Sequence, residues 1–454
     1  MCNENNTTIE FSLSFSSHSA WNNLSNCSLS QCSSNNNHSC NLSPTPCFTY
    51  RTINNISYCA PASLCSLLES CNNTCSSNTS VCIINSCCQS KSICLPLSWT
   101  TMCPSMIVSC ELSFTSMTTF LTNQDPLGIA SGDFNHDNYT DIVVTHYSSN
   151  TTSVLFGYGN GTFIEQIIIP LGYYPQMVLV CDINNDNQLD FLVPNRYDYT
   201  IHVLLGYGNG TFAMPIIIPT GVFPTSIAVD DFNNDNQMDL VVSNGADGNI
   251  GVYFGYGNGN FSSATTYSTG ILPTGIALGD FNNDNQIDIV VANYYNQSIS
   301  IFLGYGNGIF TSQRTFPTGG TSYSVAVADF NNDNQDDIVV TNRDNNTISI
   351  LFGYGNGSFS TQMILSTNLY PQAVVIGDLN GDNYEDIIVT NSRSNNTSIF
   401  LSFGNGSFSS QIIFSTGYWP VFIAIDDFNG DGRKDLAIAN NGNERVSILL
   451  NTCQ

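Results

Sequence analysis

Seven stretches of the chain place carboxylates at a short, fixed spacing, with aspartate at positions 1, 5 and 9 of a nine-residue segment and asparagine at position 3. They are Asp133, Asn135, Asp137 and Asp141; Asp182, Asn184, Asp186 and Asp190; Asp231, Asn233, Asp235 and Asp239; Asp280, Asn282, Asp284 and Asp288. Three more follow: Asp329, Asn331, Asp333 and Asp337; Asp378, Asn380, Asp382 and Asp386; Asp427, Asn429, Asp431 and Asp435. Three carboxylates, one amide oxygen and a main-chain carbonyl near position 7 make an all-oxygen shell. Such a shell suits the hard cation Ca2+ rather than zinc or copper. Position 6 has to turn sharply around the ion. It is Gly432 in the last segment and Asn138, Asn187, Asn236, Asn285, Asn334 or Asn383 in the others, and asparagine tolerates positive φ best after glycine. A metal-free Asx turn is the competing reading, and it weakens with each copy, because carboxylates crowded without a cation repel one another. Up to seven structural Ca2+ ions are expected. An EF-hand is excluded, since no glutamate stands at position 12 and strands, not helices, flank the segment.

The elements that hold these segments repeat with them. Asp133, Asp182, Asp231, Asp280, Asp329, Asp378 and Asp427 stand 49 residues apart. A second phrase, F-G-Y-G-N-G-x-F or a close variant, ends at Phe163, Phe212, Phe261, Phe310, Phe359 and Phe408, with Phe114 in the same phase ahead of them. Pro126, Pro175, Pro224, Pro273, Pro371 and Pro420 mark a third phase, in which Ser322 is the exception. Within the third unit, Ser226 to Val229, Leu240 to Ser243 and Ile250 to Phe254 read as strands, and Phe261 opens a fourth that ends near Thr269. Asn258-Gly259 reads as a type I′ hairpin turn with positive φ at both residues. Four short strands per unit of this length are the signature of a propeller blade. The fold class is therefore all-β: a seven-bladed propeller of four-stranded blades over residues 111–454.

The register also dictates closure. The last unit ends before its own G-N-G-x-F phrase, while Phe114 and the strand after it stand at the front without earlier partners, so the first strand completes the last blade. Cys110 and Cys453 are separated by seven repeats. A closed ring brings them to one place, and a Cys110–Cys453 disulfide is expected, with Cys103 as the competing partner of Cys453. Cys181 is then the odd thiol.

A recognition surface is expected at the end of the blades away from the acidic segments. The linkers entering the blades carry Tyr173 and Tyr174, Val222 and Phe223, Ile271 and Leu272, Leu369 and Tyr370, and Tyr418 and Trp419. The turns between second and third strands carry Arg196, Tyr197 and Tyr199, then Tyr294 and Tyr295, then Arg343 and Arg393. Aromatics with a few arginines, shown by loops on a rigid scaffold, suit a protein or glycan contact. Packing of the linker aromatics between blades is the alternative. The tyrosines of F-G-Y-G, recurring in nearly every unit, read as structural.

Composition narrows the partners. The chain carries 9 basic against 35 acidic residues in 454, a formal charge of −26. So few cations cannot track a phosphate backbone, which excludes a nucleic-acid binder, and the charge disfavours an anionic membrane surface. No run of 18 apolar residues crosses a membrane as a helix. Seven Ca2+ ions would offset 14 of the negative charges, which gives the acidity a purpose.

Residues 1–110 differ in kind. They hold fifteen of the 17 cysteines, from Cys2 to Cys110, and N-x-S/T sequons at Asn23, Asn26, Asn37, Asn41, Asn55 and Asn78. This segment is read as cysteine-rich, Asn/Ser-rich and glycosylated, in an extracellular, secretory setting. The opening residues show neither a basic nor an apolar signal region, so a truncated start is one resolution of that conflict.

The acidic segments followed by F-G-x-G-N-G resemble the FG-GAP (VCBS) repeats of integrin α-subunit propellers and their secreted relatives, over about Cys110 to Cys453. The resemblance implies calcium hairpins on one rim and ligand contacts mostly on the opposite face. The absence of leg domains and of a membrane anchor from the pattern points to a secreted relative. The function expected is non-enzymatic recognition or adhesion of an extracellular protein or matrix. A multivalent lectin holding sugars between blades is the runner-up, and a calcium-dependent polysaccharide lyase comes third. His18, His38, His136, His146 and His202 share no phase, and a single active site would break the repeat more than any unit here does.

Overall fold

The computed structural model describes residues 8–13, 16–21, 47–51, 57–61, 80–84, 93–96, 112–115, 117–164 and 167–453. The chain divides into two compact units, Met1–Ser109 and Cys110–Gln454. In the first, β1 (Thr8–Leu13), β2 (Ser16–Trp21), β5 (Ser80–Ile84) and β6 (Ile93–Pro96) form a sheet in the order β2-β1-β5-β6. There β3 (Cys47–Arg51) and β4 (Ser57–Pro61) form a hairpin.

The second unit is a seven-bladed propeller, each blade a four-stranded antiparallel sheet. Blade 3 runs Pro224–Asp230, Asp239–Asn244, Asn249–Tyr253 and Thr265–Ser268. Its second strand is buried at all six positions, because neighbouring blades cover both faces of the sheet; that is why these strands read as unbroken apolar runs rather than alternating ones. The fourth strand is largely exposed, and shorter than its sequence suggests. Phe261 lies outside it and bridges Gly255 instead.

The Asn258-Gly259 turn also differs from expectation. The left-handed residues are Gly257 (φ 67°) and Gly259 (φ 78°), not Asn258. The Asn258 side-chain oxygen accepts the Asn260 amide at 3.1 Å, an Asx turn that leaves the two glycines to supply positive φ.

The core lies between blades. Phe134, Val143 and Val154 of blade 1 pack on Val178, Phe191, Val193 and Leu204 of blade 2, and similar clusters recur round the ring. Closure follows the expected register. Thr118–Leu121 pairs with Arg445–Leu449 as the outer strand of blade 7, and Phe114 bridges Asn451. Ile129, Val144 and Leu155 of blade 1 meet Val421, Ala439 and Val446 of blade 7. The Gly161 amide donates to the Phe428 carbonyl at 2.9 Å across the same seam. Cys453 is disulfide-bonded; Cys110 lies outside the described residues, as does Cys103. Cys181 is free, and burial pushes its thiol up to about 12.

Candidate functional site

Each acidic segment is a loop between the first and second strands of its blade, and its backbone is wound tightly enough to aim several N–H groups inward. Position 6 is left-handed throughout, from Asn138 (φ 65°) to Gly432 (φ 81°). Position 4 is left-handed as well, as at His136, Asn185, Asn234 and Asn283, a feature the sequence pattern did not reveal. In blade 1 the Asp133 carboxylate accepts the amides of Asp137 at 3.2 Å and Asn138 at 2.9 Å. Asp137 Oδ1 accepts the Tyr139 amide at 2.9 Å. The same frame recurs in blade 4 with Asp280, Asp284, Asn285 and Gln286.

Position 9 sits differently. Asp141, Asp190, Asp239, Asp288, Asp337, Asp386 and Asp435 are fully buried. Each accepts the position-2 amide on one oxygen and, on the other, an amide from the end of the third strand. For Asp288 these are Phe281 at 2.9 Å and Gly304 at 2.7 Å. Burial, above all, pushes these carboxyls up, to about 6 at Asp141, Asp190, Asp239 and Asp435 and to about 7 at Asp288, Asp337 and Asp386. The position-1 and position-5 carboxylates of the same loop add to the rise. Among the described residues no three His, Cys, Asp or Glu side chains already converge on a cation position. In five loops the position-3 amide instead donates to the position-5 carboxylate, as Asn135 does to Asp137 at 3.0 Å. The donor chemistry of positions 1, 3, 5 and 9 still fits a hard cation, and that amide contact is what a cation would have to displace.

Neighbouring loops are also tied together. His136 Nε2 meets Gln188 Oε1 at 2.6 Å, and the side chains of Asn234 and Asn283 donate to Gln286 and Gln335 of the next loop. Beside them, the tyrosines of F-G-Y-G are exposed rather than structural. Tyr158, Tyr207, Tyr256, Tyr305 and Tyr354 are between 55% and 63% exposed, and Phe403 holds the same phase. The buried partner in each phrase is the small glycine before the tyrosine, which leaves the ring turned outward.

At the other end of the blades the linkers and the turns between second and third strands lie side by side, as expected. The Arg196 amide donates to the Tyr174 carbonyl and the Ser392 amide to that of Tyr370. In five of the six blades that carry a proline at this phase, the residue before it is left-handed although bulky: Tyr174, Phe223, Leu272, Tyr370 and Trp419 have φ between 55° and 65°, and in blade 1 the smaller Asp125 takes the same conformation (φ 55°). Such backbone is unfavourable for large side chains, by on the order of 1–3 kcal/mol each. It swings them out of the strand line. Tyr174 stacks edge-on against Tyr147 (4.5 Å) and Tyr197 (4.8 Å), and Tyr197 against Phe223 (5.2 Å), with Arg196 also over Phe223. Tyr294 meets Tyr295 and Tyr323. Arg343 lies over both Tyr323 and Tyr370, and Arg393 over Tyr370. Tyr173, Tyr197 and Tyr295 are exposed, whereas Trp419 is partly buried against the seam of blades 7 and 1. Tyr147 and Tyr323 were not among the expected residues; Tyr147 shares the phase of Arg196, Tyr294 and Arg343, and that phase was the signal.

Fold and loops together define a seven-bladed β-propeller with one acidic loop per blade. The chain belongs to the FG-GAP-like repeat family, whose pattern matches residues 133–193, 195–242, 231–291, 280–340, 329–389 and 378–438. No curated protein matches the sequence. Among solved structures, the chain is similar to BBS1N from its crystal complex with ARL6DN, at 14% identity and TM-score 0.55, over 75% of this chain and 96% of that one. It is also similar to a Lactobacillus plantarum protein at 13% identity and TM-score 0.51, over 78% and 96% of the two chains. The periplasmic gluconolactonase of Pseudomonas aeruginosa matches at 16% and 0.51, over 66% and 88%. Identities this low carry the fold and nothing further. Among the described residues no helix is long and apolar enough to cross a membrane.

Proposed function

We propose that this is a non-enzymatic, extracellular, calcium-stabilised propeller that recognises a protein or matrix partner through the face opposite its acidic loops. The observation that carries the reading is the row of bulky left-handed residues, Tyr174, Phe223, Leu272, Tyr370 and Trp419. Backbone strain spent at five equivalent positions to display aromatic and aliphatic side chains is expected of a contact surface, where tyrosine, tryptophan and arginine dominate binding energy. On the opposite rim, positions 1, 3, 5 and 9 of each loop would hold Ca2+, which would neutralise the crowded carboxylates and fix the loop. The non-enzymatic reading is supported by the histidines of the blades. His146 and His202 are buried in strands, where burial holds their proton affinity down, and His136 is engaged by Gln188. The extracellular reading is supported by the cysteines and sequons of residues 1–110.

A lectin is the second reading, favoured by the exposed tyrosines beside the loops, which repeat from blade to blade and would give several equivalent sugar sites. The calcium-loaded protein screened against immobilised matrix proteins and a glycan array separates the readings. Binding of a matrix protein that is lost in Tyr174→Ala and Tyr370→Ala supports recognition by the opposite face. Binding of one sugar class at several sites per chain, unaffected by those two changes, sinks it in favour of the lectin. Release of unsaturated uronides from a polysaccharide would make the protein a lyase.

A further inference from the structure

Three guanidinium groups gather on the recognition face of a chain that has nine basic residues in all. Among the described residues the ion pairs are Arg433–Asp431 and Lys434–Asp426, both on the rim of the acidic loops. Arg196, Arg343 and Arg393 pair with no carboxylate. They are held by aromatic rings instead: Arg343 lies 4.4 Å from the Tyr323 centroid and 4.2 Å from that of Tyr370, Arg393 4.0 Å from Tyr370, and Arg196 5.2 Å from Phe223. The Nε atoms of Arg196 and Arg343 are buried and have no hydrogen-bond partner. Neither nearby acid is ion-paired with them: Asp198 Oδ2 accepts the Tyr173 amide and Asp344 is exposed.

Tyr147 of blade 1 lies within electrostatic reach of Arg196 of blade 2 and of Tyr323 of blade 5. Blades 1 and 5 are not neighbours in the ring, so their side chains approach only over its axis. Arg196 and Arg343 therefore flank one axial mouth, walled by Tyr147, Tyr294, Tyr323 and Tyr370.

We propose that this axial mouth is an anion site, in which Arg196 and Arg343 take a carboxylate presented by a protein partner. A guanidinium stacked on tyrosines is fixed in plane and keeps its outer N–H fork free for a carboxylate. Cation–π contact replaces part of its lost hydration but supplies no acceptor to the N–H groups. The site is single, because it lies on the axis. That suits one protruding acidic side chain or chain end better than a repeating polymer, and the surrounding tyrosines with exposed Ile271 and Leu369 have the composition of a protein contact. The inference deepens the recognition reading and rests on it.

The test is a calorimetric titration of the full calcium-loaded chain with acetylated hexaglutamate amide, with hexaglutamine amide as control. The glutamate peptide should bind, weaken with added salt and lose about tenfold or more in affinity in Arg196→Gln and in Arg343→Gln. Arg314→Gln, away from this cluster, should leave binding intact, and Arg343→Lys should weaken it while keeping the charge. Thermal melts of each variant exclude misfolding as the cause. Equal binding of the two peptides, or full affinity in the Arg196→Gln/Arg343→Gln double variant, overturns the site. Sodium glucuronate or sodium sulfate binding as tightly as the peptide overturns the protein-borne carboxylate in favour of a free anion. A blank titration with the matrix-protein binding still sensitive to Tyr174→Ala removes the anion site alone; loss of that sensitivity removes the recognition reading itself.

Discussion

Asp141 Oδ1 accepts the Gly157 amide at 2.8 Å, while its other oxygen accepts the Phe134 amide at 3.0 Å, both within buried structure. One carboxylate thus ties the acidic loop to the end of the third strand. Asp137, in the same loop, accepts only exposed partners. The two aspartates should therefore separate under mutation. Asp141→Ala leaves two buried N–H groups without acceptors and should cost about 2–5 kcal/mol even in chelator. Asp137→Ala should change stability in chelator by no more than about 1 kcal/mol and reduce the number of Ca2+ ions bound. Urea melts with and without calcium, together with calcium titration, check both. Equal losses in chelator would show that position 9 has no structural task of its own.

His146 occupies the phase held by Asn195, Asn244, Asn293, Asn342, Asn391 and Asn440 in the other blades. It is fully buried, and burial lowers its pKa to about 4, with the hydrogen-bond contact of Thr151 opposing. A folded-state pKa below the unfolded value means that the stability is present above pH 6.5 or so and is lost as pH falls toward 4. At pH 5 the loss is about 2 kcal/mol. His146→Asn, which restores the residue of the other blades, should remove it. In calcium-containing buffer, the difference in urea midpoint between pH 7.5 and pH 5 should shrink in the variant. An unchanged difference would show that His146 is not the group that titrates.

The repeat made the ring legible because a period of 49 residues, strand signals and a displaced first strand leave few other closures. The left-handed asparagines at position 6 were legible for a related reason, since the turn demands that backbone and few residues supply it. What the residues could not show was how each carboxylate divides its oxygens. Aspartate at position 9 reads as a ligand by type and spacing, and the structure adds that each oxygen of Asp288 also holds one backbone amide, which a bound cation would have to share. Recurrence misled in the case of Tyr207, whose repetition reflects a repeated surface rather than a repeated core. That Tyr147 lies within electrostatic reach of Tyr323 is a product of closure, and no local pattern encodes it.

Closure itself is open to test through Cys453, which is disulfide-bonded. The seam it adjoins is held by the Thr118–Leu121 strand and by the hydrogen bond from the Cys453 amide to Asn451. If its partner is Cys110, peptide mapping under non-reducing conditions should return a Cys110–Cys453 peptide. Cys453→Ser should lower stability by about 2–5 kcal/mol, since the bond closes a very long loop in the unfolded chain. Recovery of a Cys103–Cys453 peptide would move the staple to the competing partner.

If Ca2+ binds as proposed, the buried aspartates make its binding and pH interdependent. In the metal-free protein their folded pKa values, about 6 to about 7, lie above the usual 3.8. A raised folded-state pKa gives stability that is present below the unfolded value and lost as pH rises through the folded one. The chelated protein should therefore melt lower at pH 8 than at pH 5. His146 acts in the opposite direction over part of that range, so the measurement belongs in the His146→Asn variant. A cation that binds the ionised carboxylates competes with their protons, so the rise in Tm on adding calcium should be larger at pH 8 than at pH 5. Thermal melts at the two pH values, each with calcium and with chelator, give four midpoints. A calcium increment that is equal at both, or a chelated protein that is more stable at pH 8, would mean that these seven carboxylates are not where the cation acts.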